Sequence, residues 1–170
     1  MDKASVRAYA LRLRKGIAYD KEEILNQISP YLNNKKIVAI YYPLPFELDL
    51  RFLEEYFKNI EFVYPAIIED KIVFRKKGKG FLEGMYHILE PQGQIMEKEE
   101  IDLIIVPMLA INKGNYRVGY GKGYYDNYLH DYKGMTLGII KASLLLDFKE
   151  EEHDVRLKDV IILWQQWLFY

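Results

Sequence analysis

Three glycines at alternate positions, Gly119, Gly121 and Gly123, stand out as candidates for ligand binding. Glycines spaced in this way leave backbone N–H groups uncovered by side chains, and such groups can surround an anion. Two basic residues, Arg117 and Lys122, lie among the glycines and would neutralise the charge of a phosphate. These residue types at this spacing predict a loop that binds phosphate groups.

A carboxylate, Asp126, follows the glycines after two tyrosines. Its position suits a magnesium ion that bridges phosphate oxygens, because Mg²⁺ prefers oxygen ligands and shares them with substrate phosphates. The stretch does not contain the Gly-Lys-Ser/Thr end of a Walker A motif. It also lacks the GxGxxG fingerprint of dinucleotide-binding folds, which belongs after a first strand. The kind of phosphate ligand therefore stays open.

Two other functions fit the same stretch. An RNA-binding module would stack bases on the nearby tyrosines, which are Tyr116, Tyr120, Tyr124, Tyr125 and Tyr128. Some of these tyrosines recur at helical spacing, however, and this spacing is equally typical of a hydrophobic core. A sugar-phosphate enzyme of a related α/β architecture would also need a phosphate site, but no ATP.

The composition limits the class of protein. The chain has 170 residues, 50% of them hydrophobic, which is enough for one good-sized core, and we predict a single domain over residues 1–170. Lys and Arg number 24 against 25 for Asp and Glu, so the formal net charge of -1 gives no general reason to expect a nucleic-acid partner. The lack of cysteine excludes disulfides, thiolate zinc sites and cysteine nucleophiles.

The N-terminal residues lack the continuous apolar segment of a signal peptide, and no apolar run is long enough to span a bilayer. We therefore predict a cytoplasmic protein without a membrane partner. No two of the three histidines lie four residues apart, and no serine stands in a GxSxG context. Neither a helical zinc site nor a serine hydrolase is indicated.

Hydrophobic periodicity predicts the elements that position these residues. Apolar stripes at helical spacing predict helices over residues 3–15, 21–29, 49–59 and 124–132, the second of them capped by Asp20 and ended by Pro30. Short apolar runs predict strands over residues 35–42, 61–66, 101–107, 135–140 and 159–164, with a hairpin within residues 67–74. The polar stretch from Lys76 to Gly93 predicts a loop.

Strands that alternate with helices predict an α/β fold. We expect a single-domain, mostly parallel sheet with helices on both faces, which is a Rossmann-like three-layer sandwich. Ligands of open parallel sheets bind beyond the carboxyl ends of the strands. The glycines follow the predicted strand over residues 101–107, so they lie at the edge where a ligand is expected.

Residues 102–129, "DLIIVPMLAINKGNYRVGYGKGYYDNYL", resemble the signature segment of the 5-formyltetrahydrofolate cyclo-ligase family. In that family a strand ending in Pro is followed by a Gly-Asn-Arg-Leu-Gly-type loop, a glycine-rich turn and Tyr-Tyr-Asp. The resemblance extends along nearly the whole chain. The other matches, in chain order, are Lys3 with Arg7, Glu47 in "IYYPLPFELD", Glu90 before Pro91, and His153 before Asp154.

The resemblance implies an enzyme, a ligase that forms a carbon–nitrogen bond. With ATP as co-substrate and Mg²⁺ as cofactor, the family cyclises 5-formyltetrahydrofolate to 5,10-methenyltetrahydrofolate and releases ADP and phosphate. The formyl oxygen is phosphorylated, and N10 of the folate then attacks the formyl carbon. The expected partners are therefore small-molecule substrates rather than nucleic acid, and we expect a monomer.

The resemblance also implies roles for single residues. The ATP contacts would be Lys3, Arg7, Arg117, Gly119, Gly121, Lys122, Gly123, Tyr124 and Tyr125. The folate contacts would be Tyr42, Glu47, Tyr120 and Tyr124. Asp126 and Asp154 would coordinate magnesium, and Arg117, Lys122 and Tyr124 would be the catalytic residues.

The chain departs from the family pattern at a few positions. Asn112 stands where the family usually has Asp, which removes a charge and weakens the case for a metal or capping role there. Val118 replaces the leucine of the Arg-Leu-Gly triplet, which is a mild apolar exchange. The C-terminal "WQQWLFY", which begins at Trp164, matches no family pattern, and we assign it no function.

Overall fold

The fold contains four α-helices in the part of the chain that the computed structural model describes, residues 1–164. They are α1 (Lys3–Leu13), α2 (Lys21–Leu32), α3 (Leu53–Tyr56) and α4 (Tyr124–Leu129). Apart from Trp164, the C-terminal tail lies outside the described residues, and the prediction of one domain over residues 1–170 stays a prediction.

The strands form one large sheet and two small ones. They are β1 (Ile37–Ala39), β2 (Glu61–Ile68), β3 (Lys71–Arg75), β4 (Phe81–Glu83), β5 (Leu89–Pro91), β6 (Ile95–Met96), β7 (Leu103–Ile105), β8 (Ala110–Ile111), β9 (Arg117–Val118), β10 (Met135–Lys141) and β11 (Asp159–Leu163). Seven strands pair in the order β11-β10-β7-β1-β2-β3-β6. The first five are parallel, and β3 and β6 add an antiparallel edge. The predicted mostly parallel α/β sheet is confirmed.

Neighbouring residues of a central strand face opposite layers, as the pleat of a strand requires. Leu103 packs in the core that contains Ile24 and Ile28 of α2. The next residue of β7, Ile104, packs in the other core, which contains Val6 of α1. Helices therefore cover both faces of the sheet, and the predicted three-layer arrangement is confirmed.

The start of α2 follows its prediction, and its end does not. Asp20 Oδ1 accepts hydrogen bonds from the backbone N–H groups of Glu22 and Glu23, so the predicted N-cap is confirmed. Pro30 lies inside the helix, which ends at Leu32, and the prediction that Pro30 ends it is wrong. A proline in the last turn removes only one N–H donor, so the remaining bonds carry the helix two residues further.

The helix predicted over residues 49–59 is reduced to the single turn of α3. Asp49 explains the late start, because its carboxylate accepts hydrogen bonds from the backbone N–H and the guanidinium of Arg51. A short polar side chain that bonds to the nearby backbone competes with helix formation. The N-terminal part of the predicted helix is therefore wrong.

The predicted hairpin within residues 67–74 is confirmed, and the loop predicted from Lys76 to Gly93 is wrong in part. Glu69 and Asp70 form the hairpin turn with φ of 50° and 60°, which is the conformation that a two-residue turn between strands favours. The predicted loop contains the antiparallel pair of β4 and β5. We call residues 81–91 the β4–β5 hairpin. No helix within residues 1–164 is both long and apolar enough to cross a membrane.

Candidate active site

A cavity of about 1000 Å³ lies at the carboxyl ends of β1, β2 and β7. Its walls come from the start of α1, the loop after β1, the end of β2, the β4–β5 hairpin, the segment around the glycines and the connection between β10 and β11. Every residue predicted for the site lines this cavity: Lys3, Arg7, Tyr42, Glu47, Arg117, Gly119, Tyr120, Gly121, Lys122, Gly123, Tyr124, Tyr125, Asp126 and Asp154. The fold thus brings these residues together, and their individual roles stay predictions.

The glycine loop, residues 119–123, needs its glycines for two reasons. Gly121 and Gly123 have φ of 93° and 73°, the left-handed region that side chains disfavour. A Cβ atom at Gly119 would stand 2.3 Å from Nη1 of Arg117, closer than two such atoms can approach. No acceptor within residues 1–164 pairs with the backbone N–H groups of residues 120–125. The loop therefore offers free donors to a ligand.

Arg7 connects the glycine loop to the first helix. Its Nε donates a hydrogen bond of 2.8 Å to the carbonyl oxygen of Gly119. A Cβ atom at Gly121 would lie 3.4 Å from Nη2 of Arg7, so the guanidinium runs beside the loop backbone. α1 thus carries Arg7 to the place where the sequence-based interpretation puts phosphate groups.

Arg117 is a buried cation with few partners. Its side chain is 8% exposed, its Nη1 donates to the Pro107 carbonyl oxygen at 3.1 Å, and its Nη2 lies 4.0 Å from Oδ2 of Asp126. Its Nε is buried and has no hydrogen-bond partner within residues 1–164. Burial lowers the pKa of Arg117, and Asp126 opposes this effect. A buried guanidinium with unused donors suits an anionic ligand.

Lys3 and Asp154 form an ion pair in the cavity wall. Lys3 Nζ lies 2.5 Å from Oδ2 and 2.6 Å from Oδ1 of Asp154, whose side chain is only 3% exposed. Burial raises the pKa of Asp154, but hydrogen bonds from Glu151 N–H and from Lys3 outweigh it, so that the net shift is downward. The residue predicted for ATP phosphate and the residue predicted for metal are thus each other's partner.

The residues predicted to hold magnesium belong to neighbouring segments. Asp126 Oδ1 accepts a hydrogen bond of 3.2 Å from the backbone N–H of Val155, next to Asp154. Ligand atoms of Glu151, His153 and Asp154 all lie within 4.8 Å of one another. Carboxylate oxygens are the donors that Mg²⁺ prefers, so the residues present fit this ion. Sequence reasoning missed Glu151, although its position three residues before Asp154 was a signal.

Glu47 lies at the aromatic end of the cavity. Its Oε1 accepts a hydrogen bond of 2.7 Å from the backbone N–H of Leu44. Burial raises the pKa of Glu47 to about 7, because the charged carboxylate is poorly solvated. Tyr41 and Tyr120 line the cavity with it, and burial raises the pKa of both phenols, Tyr120 to about 12. This end combines a carboxyl group with flat rings.

The raised pKa of Glu47 predicts that the protein loses stability as the pH rises from about 4.5 to 7, because the folded state keeps a proton that the unfolded chain has released. Glu47→Gln removes this linkage and keeps the acceptor for Leu44. The variant is expected to be more stable than the wild type at pH 8 by roughly 2 kcal/mol, and equally stable near pH 4.

Urea unfolding at both pH values measures this difference. Glu152→Gln, at an exposed glutamate, serves as the control and should follow the wild type. If the free energy of unfolding changed with pH in the same way for the wild type and Glu47→Gln between pH 4 and pH 8, the burial of this carboxyl group would be contradicted.

Tyr124 joins three segments at the mouth of the cavity. Its hydroxyl donates to Asp70 Oδ1 at 2.9 Å and lies 3.2 Å from the hydroxyl of Tyr86 in the β4–β5 hairpin. These hydrogen bonds, to Tyr86 and then Asp70, raise the pKa of Tyr124. Nζ of Lys122 lies 5.3 Å from the ring centroid of Tyr86. Two residues predicted to be catalytic thus contact the hairpin that covers the cavity.

The neighbouring tyrosines are divided between the site and the core. The Tyr125 and Tyr128 rings pack edge-on against Phe74, with ring centroids 6.2 and 5.1 Å away. Rings in such contacts are not free to stack on successive bases, so the structure does not favour the RNA-binding interpretation. Arg14 donates a hydrogen bond to the Tyr120 hydroxyl and holds that ring at the cavity.

Sequence reasoning missed several residues of the cavity wall. Tyr41, Ile67, Tyr86 and Ile88 line it without having been predicted. Glu90, noted only as part of a Glu-Pro pair, accepts a hydrogen bond of 2.7 Å from Ile67 N–H and so fastens the β4–β5 hairpin to β2. No local pattern marks such residues, because they reach the cavity only through the pairing of distant strands.

The comparison with known protein families agrees with this geometry. The sequence model of the 5-formyltetrahydrofolate cyclo-ligase family matches residues 56–163, more than half of the chain. The chain belongs to the 5-formyltetrahydrofolate cyclo-ligase family. The 5-formyltetrahydrofolate cyclo-ligase of Mycoplasma pneumoniae is 31% identical over 95% of this chain and 98% of the relative. The predicted family and the predicted enzyme class, a ligase, are confirmed.

Solved structures of this cyclo-ligase family share the fold. The 5,10-methenyltetrahydrofolate synthetase of Mycoplasma pneumoniae has a TM-score of 0.79 and 28% identity, over 95% of this chain and 98% of that chain. The corresponding synthetase of Aquifex aeolicus, solved by NMR, has a TM-score of 0.82 and 26% identity, over 95% of this chain and 90% of that chain.

Proposed function

We propose that this cyclo-ligase converts 5-formyltetrahydrofolate to 5,10-methenyltetrahydrofolate in a reaction that consumes ATP, requires Mg²⁺ and releases ADP and phosphate. The observation that carries the proposal is the division of the cavity. One end has cations, carboxylates and backbone N–H groups that pair with no acceptor in the described part of the chain, whereas the other has tyrosine rings around Glu47. Two ligands of different chemistry would therefore meet in one space.

The chemistry explains why such a site is sufficient. The formyl oxygen is a poor leaving group, and transfer of the γ-phosphoryl group of ATP to it turns it into phosphate, which is a good one. N10 forms a bond to the formyl carbon and loses its proton, and the bond from that carbon to the phosphorylated oxygen breaks. The protein needs to hold two ligands in line and balance phosphate charge.

The nucleotide end would be formed by α1 and the glycine loop. Lys3, Arg7 and Lys122 would pair with phosphate oxygens, together with the free N–H groups of the loop. Arg117, buried and pre-positioned by Pro107, would stabilise the charge that moves during transfer. Tyr124 and Tyr125 complete this wall, with Tyr124 also facing the second ligand.

Asp126 and Asp154 would hold magnesium, because they combine carboxylate oxygens with a position beside the phosphate end. The ion would supply charge neutralisation for the phosphates. Binding of a magnesium–nucleotide complex would give Lys3 and Asp154 new partners at the same time. Lys3 would turn to phosphate and Asp154 to the metal, so neither buried charge would lose a counter-charge.

The folate end would be formed by Tyr42, Glu47, Tyr120 and Tyr124. A carboxyl group suits the N–H donors of a reduced pterin, and the tyrosine rings suit its flat face. Tyr42 is held in place by Arg51, whose guanidinium carbon lies 4.4 Å from the ring centroid. The monomeric state and the cytoplasmic location stay predictions.

The test is an absorbance assay of the purified protein with 5-formyltetrahydrofolate, ATP and magnesium, which follows the near-ultraviolet band of the methenyl product. Omission of ATP and omission of magnesium are the controls. A signal that needs all three components would establish the activity. No signal from folded protein would contradict the proposal, and binding of sugar phosphates or RNA would then be measured.

A further inference from the structure

The segment between β10 and β11 carries Glu151, His153 and Asp154 to the cavity without the support of a helix or strand over residues 146–157. Contacts with another part of the chain must therefore hold it. Lys3 and Asp126 contact its middle, and four hydrogen bonds near its two ends come from the turn over residues 112–116, which joins β8 to β9 and leads directly into Arg117.

Asn112 is the buried residue at the base of this turn, with 6% of its surface exposed. Its Oδ1 accepts hydrogen bonds of 3.0 Å from the backbone N–H groups of Gly114 and Tyr116. Its Nδ2 donates to the Phe148 carbonyl oxygen at 3.1 Å and to Oε2 of Glu150 at 3.2 Å. The amide thus uses both donors and two acceptor positions, so residue 112 caps the turn without the charge that the family usually has there.

The far end of the same segment is held by the same turn. Nε of Arg156 donates to the Gly114 carbonyl oxygen at 3.0 Å, and the backbone N–H of Leu157 donates to the Asn115 carbonyl oxygen at 2.9 Å. Both carbonyl groups belong to the turn that Asn112 Oδ1 shapes. Residues 148–157 are therefore fixed at both ends to one turn, with the proposed metal ligands between these points.

We propose that Asn112 is a positioning residue that sets Asp154 and its neighbours relative to Arg117. The amide oxygen shapes the turn that leads into Arg117, and the amide nitrogen binds the segment that carries Asp154. The magnesium–nucleotide end of the cavity would depend on this amide, and the folate end, which the segment does not line, would not. The part that concerns nucleotide binding rests on the proposed function.

The chemistry of the site requires an amide at this position. Aspartate would still accept the two N–H groups of the turn. Its second oxygen, however, would face the Phe148 carbonyl oxygen and the Glu150 carboxylate, which are both acceptors. Two carboxylates at this distance repel each other, and neither contact would have a proton to share. The segment would then move away from the turn.

Asn112→Asp is therefore expected to speed amide hydrogen exchange of residues 148–157 by about tenfold or more. It should also weaken binding of a non-hydrolysable ATP analogue with magnesium, measured by calorimetry, by about 10- to 100-fold, as loss of residues that orient metal ligands does. Affinity for 5-formyltetrahydrofolate should stay unchanged, whereas a general loss of structure would lower both affinities.

The double variant Asn112→Asp with Glu150→Gln supplies the rescue, because the glutamine amide donates to the new carboxylate. Glu150→Gln alone is the matched control and should behave as the wild type, since its side-chain oxygen still accepts from Asn112. The proposal would be overturned if amide hydrogen exchange in Asn112→Asp matched the wild type. It would also be overturned if the double variant recovered neither the slow exchange nor the affinity for the ATP analogue.

Two remaining outcomes are also decisive. If Asn112→Asp does not fold, a folded double variant that binds the analogue as tightly as Glu150→Gln supports the pairing, and a double variant that does not fold contradicts it. If the wild type binds no analogue, the proposed function fails, and the hydrogen-exchange comparison alone decides the positioning role.

Discussion

Arg117→Ala is expected to reduce kcat/KM for ATP by about 10³-fold, because a buried guanidinium that balances phosphate charge in the transition state contributes on this scale. The side chain is held against Pro107 and Tyr125, and its Nε has no hydrogen-bond partner among residues 1–164, so the protein itself positions the guanidinium. The measurement is the initial rate of methenyl product formation at limiting ATP with saturating folate and magnesium.

Arg117→Ala is also expected to lower the stability of the fold. An exposed arginine could be removed without effect on the fold, but Arg117 is 8% exposed and donates to the Pro107 carbonyl oxygen. Its loss removes the hydrogen bond to that acceptor and leaves Asp126 with the Val155 N–H but without its counter-charge, and a destabilisation on the order of 2 kcal/mol is expected. Thermal unfolding separates this effect from the kinetic one, since the rate is measured below the unfolding transition.

Arg117→Lys is the matched control for charge. Lysine keeps the cation but not the planar fork that reaches Pro107 and Asp126 together, so an intermediate rate is expected. If Arg117→Ala keeps full activity at limiting ATP, Arg117 has no part in phosphate binding.

Asp154→Asn is expected to raise the magnesium concentration for half-maximal rate by more than about 100-fold, because even residues that only support a metal ligand contribute 10- to 100-fold. Asparagine keeps the size of the side chain and an oxygen for the Lys3 ammonium but removes the negative charge. A titration of magnesium at fixed ATP measures the shift, and calorimetry of magnesium binding in the presence of the ATP analogue checks it without turnover.

Asp147→Asn is the control for this variant, because Asp147 lies in the same connection and is exposed. Its magnesium titration should coincide with that of the wild type. Coincident titrations for Asp154→Asn and the wild type would remove Asp154 from the metal site and leave its pair with Lys3 as a structural contact.

The parts of the fold that the sequence predicted depend on local patterns. The strand at residues 103–105 is apolar at every position because helices cover both faces of the sheet. The cap at Asp20 and the turn at Glu69 and Asp70 are set by short-range hydrogen bonding and φ preferences. Such features need only a few neighbouring residues, so they can be read without the tertiary structure.

The errors occur where contacts that hydrophobic periodicity does not encode, whether local or distant, outweigh the periodic pattern. Residues 49–59 have a helical stripe, but the hydrogen bonds of Asp49 with Arg51 delay the helix to Leu53. The β4–β5 hairpin forms in a stretch with the composition of a loop, and Glu90 fastens it to β2. Hydrophobic periodicity predicts neither the late start of α3 nor the β4–β5 hairpin.

By itself, the sequence determined the class of fold and, through its motifs, the family, and it predicted that the glycine loop binds phosphate. Only the tertiary structure decided that Arg117 is buried, that Lys3 and Asp154 are partners and that Asn112 joins the turn before Arg117 to the segment with Asp154. The physical reason is that glycine spacing and strand patterns act over a few residues. Burial and hydrogen-bond partners, in contrast, depend on which distant segments the sheet brings together.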